Sequence, residues 1–203
     1  MMIFFVVLRT SRRRRASHLF CLRTSLAAHR RSSVAESSDF SIDAAATLNA
    51  ATAVSFRDAT GTGGDVSIDG TFTAAAGVTF ESSIGSVTVD GAVTVTTGDF
   101  VADQTVSSTG VITIGSNSLT GSASVASSGV DAAVNVGANA VVSVNTLSFA
   151  AAAQLEVAAD ASASVTSPTV TFTGTDSGIT LNTNSDLSIA NEVTFGAGAV
   201  VTG

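Results

Sequence analysis

The sequence predicts an all-β fold, a right-handed parallel β-helix with three sides, and three observations predict it. Apolar–polar–apolar triplets recur with a period of roughly 23 residues, three such triplets fill each period, and turn residues fall in phase with both. The repeat is read over residues 48–203 as about six complete coils. Residues 1–35 read as a basic leader, disordered or weakly helical, and 36–47 as a linker or lead-in.

Composition sets the frame. Charged residues are only 12%, against the usual quarter, and Ala, Val, Gly, Ser and Thr make up most of the chain. Such a chain suits short, tightly repeated strands better than amphipathic helices. Eight of the nine Arg lie in the first 31 residues and all sixteen acids lie at or after Glu36. With Arg57 as its only base, the body carries a formal charge of −15. That charge argues against nucleic acid and anionic membrane surfaces as partners, since both need positive charge at the contact, and is compatible with cation binding or with solubility alone.

The leader opens on MMIFFVVL, too short to span a bilayer, and continues Arg- and Ser-rich without acids. Its basic run follows the apolar stretch, the reverse of a secretory signal, and its composition matches a transit peptide or a mis-assigned start site. The lone Cys21 sits here, so no intrachain disulfide forms.

The first triplet of each coil is read at Val54-Ser55-Phe56, Val78-Thr79-Phe80, Leu147-Ser148-Phe149, Val170-Thr171-Phe172 and Val193-Thr194-Phe195. Gly98-Asp99-Phe100 and Ala123-Ser124-Val125 fill the interval. The second is read at residues 66–68, 87–89, 112–114, 134–136, 155–157 and 179–181; the third at 93–95, 142–144, 163–165 and 187–189, with poorer versions at Phe72 and Leu119. Period-two alternation sends the outer members of each triplet inward and the middle member to solvent. Stacked coils would then align Phe56, Phe80, Phe149, Phe172 and Phe195 in one internal file, with Val125 as a smaller step.

The corners agree. Asn117, Asn139, Asp160 and Asn184 occupy equivalent places after the second triplet, where Asn tolerates left-handed backbone and stacked amides can bond as an asparagine ladder. Earlier coils turn instead on Asp69-Gly70 and Asp90-Gly91. The last residues, VTFGAGAVVTG, read as one strand into a new coil, so further coils of the same polypeptide or a stacked chain are expected to cover it.

With these triplets and corners, residues 48–203 resemble the β-solenoid repeat regions of bacterial surface and secreted proteins, such as filamentous-haemagglutinin-type adhesins and autotransporter passenger domains. The resemblance implies an adhesin-like structural module at the cell surface or outside the cell, with an unidentified glycan or protein surface as partner. No membrane span, cofactor, metal site or catalytic residue is assigned.

Asp69 and Asp90 share a corner on adjacent coils and are the one pair a carbohydrate-active solenoid could use as paired acids. Each precedes a Gly, so turn chemistry is the preferred reading, and after residue 31 there is no His, Cys, Lys or Tyr to assist. GTGGDVSIDG at 61–70 has the flavour of a calcium β-roll but does not recur. An outward column of Ser55, Thr79, Ser124, Ser148, Thr171 and Thr194 raises ice binding, with Thr169, Thr171 and Thr173 as its densest part. Arg57, Glu81 and Gly196 interrupt its flanks, which favours a plain polar surface. Recognition is placed on the variable corners at 57–65 and 101–111.

Overall fold

The computed structural model describes residues 39–58 and 63–203; the leader expected at 1–35 lies outside them. The described residues are all-β, with three parallel sheets stacked as a β-solenoid of about seven turns, roughly 22 residues each. At about 4.8 Å per coil the stack is about 34 Å long.

Every coil visits the sheets in the order A, B, C. Sheet A stacks Phe40–Ile42, Val66–Ile68, Val87–Val89, Val106–Ser108, Ser124–Ser128, Thr146–Ala150, Thr169–Phe172 and Val193–Phe195. Sheet B stacks Thr47–Ala50, Thr71–Ala74, Ala92–Val95, Val111–Gly115, Ala133–Val136, Gln154–Val157, Gly178–Leu181 and Val200–Thr202. Sheet C holds Val54–Phe56, Val78–Phe80, Phe100–Ala102, Ser118–Thr120, Val141–Ser143, Ser162–Val165 and Asp186–Ile189. Alternation does the work expected of it: in Val66-Ser67-Ile68 the outer pair is buried and the serine is not. No strand buries its apolar edge within its own coil, so the core is one continuous cluster running from Phe40 to Ile179.

Two expected boundaries are corrected. Residues 40–42 are not linker: Phe40-Ser41-Ile42 is itself an apolar–polar–apolar triplet, paired in register with Val66-Ser67-Ile68. The segment 101–111 is not a variable corner, because Val106–Ser108 within it is a full strand of sheet A. Its third position is the buried Ser108 rather than an apolar residue, which hides the triplet pattern.

That uncounted strand shifts every later triplet by one sheet, and the count rises from six coils to seven. The single phenylalanine file therefore becomes two. In sheet C, Phe56 stacks on Phe80 with centroids 5.1 Å apart and planes at 9°, and the next residue in that column is Ala102. In sheet A, Phe149, Phe172 and Phe195 stack at 4.8 and 5.1 Å, near-parallel. Phe100 occupies the other inward column of sheet C, over Val78, and Val125 lies between Val106 and Leu147. The shortest coils, Val87 to Val106 and Val106 to Val125 at 19 residues each, are the ones with Ser108 and Ser127 in the column where others place Phe, Ile or Val. Short coils enclose less volume, and small inward side chains fit it.

Candidate functional sites on the corners and faces

The corner from sheet A to sheet B is a repeated backbone device. Ile42 O accepts from both Asp69 N and Gly70 N, Ile68 O from Asp90 N and Gly91 N, and Val89 O from Thr109 N and Gly110 N, all at 2.8–3.0 Å. The coils approach so closely here that a Cβ on Gly91 would lie 2.0 Å from Gly70 O, and one on Gly110 only 1.8 Å from Gly91 O. Glycine is required by that contact rather than by a left-handed φ. Asp69 and Asp90 do occupy one corner on adjacent coils, as expected. Both are exposed, and each accepts from a hydroxyl, Ser67 Oγ at 2.8 Å and Thr109 Oγ1 at 2.6 Å. Their column continues into Thr109. Among the described residues no three His, Cys, Asp or Glu side chains are placed to hold a metal ion.

At the corner from sheet B to sheet C, Asn139, Asp160 and Asn184 have φ of 61°, 57° and 57°. The Asn139 and Asp160 amides donate one coil onward, to Ser162 O and Thr183 O. Asn184 Nδ2 donates to Asp160 Oδ1 at 3.1 Å. Asn117 is built differently: Gly115 takes the positive φ of 55°, and the Asn117 amide donates to Ile114 O and back to Val95 O and Thr96 O.

The corner from sheet C to sheet A varies most. It runs over 57–65 in the first coil and 81–86 in the second, then contracts to 103–105 and, further on, to 144–145. Its tip at 59–62 lies outside the described residues, as does part of the calcium-like segment at 61–70. The base is fastened to the next coil: Asp58 accepts from Gly63 N and Gly64 N, Asp58 N donates to Ser83 Oγ, and Gly85 N donates to Gly64 O. Arg57, the one base after residue 31, is half-buried here with its Nε buried and unbonded.

The outward hydroxyl column also needs correction. Ser55 and Thr79 belong to sheet C, where Val101 follows them, and Ser55 is held by Glu81. The central outward column of sheet A is Ser67, Thr88, Ser107, Ala126, Ser148, Thr171 and Thr194 in unbroken register. Two residues earlier runs a second rank that the sequence reading missed: Ser86 and Thr105 immediately before their strands, and Ser124, Thr146 and Thr169 as the first residues of theirs, in paired register. Its signal is present in the chain as SVT, TVS, SVA, TLS and TVT, beginning at those five residues.

Fold and faces together define a three-sided parallel β-solenoid whose acids, Glu156 and Asp186 apart, lie at corners or just outside strand ends among the described residues. No family model, curated protein or solved structure matches the chain.

Proposed function

We propose that this chain is a non-catalytic structural or adhesive module of a larger surface or secreted protein, working outside the cell or on its surface. It would engage a glycan or protein surface through its variable corners. The observation that carries this reading is the contrast between strands and corners. Strands stack in register apart from one shift in sheet B between Thr113 and Gly115, whereas the corner from sheet C to sheet A is long and elaborated only in the first two coils. A rigid stack presenting one irregular rim is an arrangement in which loops can carry recognition. Arg57 adds the one cationic group to that rim, beside Asp58 and Glu81. At the other end, Phe195 is 44% and Val201 59% exposed, so further coils or a stacked chain would bury apolar surface there.

The test is retention of the full chain on arrays of glycans and matrix proteins, with Arg57→Ala and Glu81→Ala as rim variants. Selective binding weakened by both variants supports the reading. Turnover of a polysaccharide that Asp69→Asn or Asp90→Asn abolishes would overturn it in favour of a carbohydrate-active solenoid.

A further inference from the structure

The two ranks on sheet A carry an inference about what one side of the solenoid touches. Across five successive coils the outward pairs are Ser86/Thr88, Thr105/Ser107, Ser124/Ala126, Thr146/Ser148 and Thr169/Thr171. Nine of the ten positions bear a hydroxyl, and none bears a charge, in a body whose formal charge is −15. All ten are exposed or half-buried. The central column is paired without a bulge from Thr88 to Thr171, whereas sheet B shifts register between Thr113 and Gly115. Strand pairing thus fixes the spacing of the central column throughout, and of the second rank from Ser124 to Thr169, at about 4.8 Å between coils and about 6.7 Å between ranks.

These hydroxyls are also unspent. Ser86 donates to Asp65 at 2.7 Å, but among the described residues the other eight make no side-chain hydrogen bond to protein. Each offers one donor and two acceptor positions. Some outward hydroxyls on the other sheets are drawn into the protein, Ser55 to Glu81 and Thr180 to Gln154 and Thr202, while others such as Thr94 are as open as those of sheet A.

A regular, neutral, hydrogen-bonding lattice narrows the class of partner. A small ligand would use one repeat and gain nothing from the other four. A mineral surface or a cation would need carboxylates, and these two ranks hold none from Ser86 to Thr171. An anionic membrane would need basic residues, also missing from these ranks. Carbohydrate chains are commonly gripped by exposed aromatic rings, but the described Phe residues all point inward, Phe195 at the open end being the one that is exposed. What remains is a partner that is itself periodic, uncharged and both donor and acceptor at each lattice point. Liquid water already satisfies isolated hydroxyls, so each contact is worth little by itself. A preorganised array gains by making many such contacts at once without ordering any side chain in a mobile loop.

We propose that the outward face of sheet A binds ice. The Ser and Thr ranks hold water in a two-dimensional pattern continuous with a crystal plane, and the threonine methyl groups fill the gaps between the ranks. The inference keeps the non-catalytic binding-module reading and names a partner for a face distinct from the corner rim.

The experiment freezes the full chain slowly onto a cold surface and measures the fraction carried into polycrystalline ice, with recrystallisation inhibition as a second readout. Ser148→Arg and Ser107→Arg each place a large charge in the array. Thr94→Arg does the same on the outward face of sheet B, where Thr94 lies between Thr73 and Thr113. Far-ultraviolet circular dichroism and melting curves establish that each variant folds. Incorporation of the wild type, lowered about tenfold by Ser148→Arg and Ser107→Arg and kept by Thr94→Arg, is the expected result. Exclusion of the folded wild type from ice would overturn the proposal, as would equal loss in Thr94→Arg. Retention on crystalline cellulose or chitin in place of ice would overturn it too. So would a wild-type dimer in sedimentation that Ser148→Arg dissociates, because the face would then join two copies. Each of these leaves the rim-binding assay to stand or fall separately.

Discussion

Phe172→Ala is the substitution that most directly tests the inside of this molecule. The ring is fully buried and sandwiched between Phe149 at 4.8 Å and Phe195 at 5.1 Å, near-parallel to both. Taking its buried surface at about 150 Å², transfer alone is worth nearly ~4 kcal/mol at about 25 cal/mol/Å². Alanine keeps part of that, while the unfilled space between two rings adds a cavity cost, so about 3–5 kcal/mol is expected. Ser148→Ala on the adjacent strand alters an outward, unbonded hydroxyl and should cost less than about 0.5 kcal/mol. Phe195→Ala should lie between, because 44% of that residue is already in water. Urea melts of the full chain, fitted for midpoint and slope together, separate the three. A change in slope would report an end coil unfolding independently, as stacked repeats allow. Equal losses for Phe172→Ala and Ser148→Ala would refute the inward assignment. A loss at Phe195 as large as at Phe172 would show that the last coil is covered in solution.

Other outcomes follow from particular corners and core positions. Ser127 is buried with its hydroxyl unbonded between Ser108 and Phe149, so Ser127→Ala should stabilise by about 1 kcal/mol in the same melts. Gly110→Ala would force a methyl into Gly91 O, and should cost more than about 2 kcal/mol or shift the corner enough to abolish a cooperative melt. Asn139, exposed at φ 61°, should accept Gly within about 0.5 kcal/mol, whereas Val should lose about 1–2 kcal/mol to left-handed strain. A Gly variant clearly weaker than wild type would show that the Asn139 amide contributes through a ladder along the corner.

Most of the architecture was legible because the solenoid repeats its rule in every coil. Inward and outward assignment needs only period two, and Val66-Ser67-Ile68 or Val170-Thr171-Phe172 states it plainly. What escaped was phase. A triplet is recognised by its two apolar ends, and Val106-Ser107-Ser108 has one. Its inward serine is held by donating to Gly110 O at 3.1 Å, a satisfaction that no periodicity reveals. Missing it merged two columns into one: Phe56 and Phe80 were placed in line with Phe149 and Phe172, although they stand on different sheets. The lead-in was misjudged for a related reason, since Asp39 and Asp43 bracket Phe40-Ser41-Ile42 and disguise a strand as a charged linker. The candidate sites inherited the same slip. Asp69 and Asp90 were paired correctly because they precede it, whereas the hydroxyl column crossed it and mixed two faces.

The neutrality of sheet A demands care, because the fold itself disfavours charge on strands. Parallel in-register stacking sets like above like at about 4.8 Å, so a charge repeated at one strand position would meet itself in every coil. Accordingly, Glu156 and Asp186 are the acids found within strands among the described residues, and the rest lie at corners or just outside strand ends. Absence of charge alone is therefore a consequence of stacking. Stacking does not, however, ask for hydroxyls. Sheet B carries Ala92 and Val111 side by side in one half-buried column, and sheet C carries Val101 and Val141 at half-buried positions. Those residues satisfy the ladder as well as Ser or Thr would, and Val has the same branched shape as Thr. Nine hydroxyls in ten places on sheet A is thus a choice that neither strand propensity nor charge avoidance requires. It is that excess over the needs of the fold, rather than polarity as such, that points to a partner on this side of the solenoid.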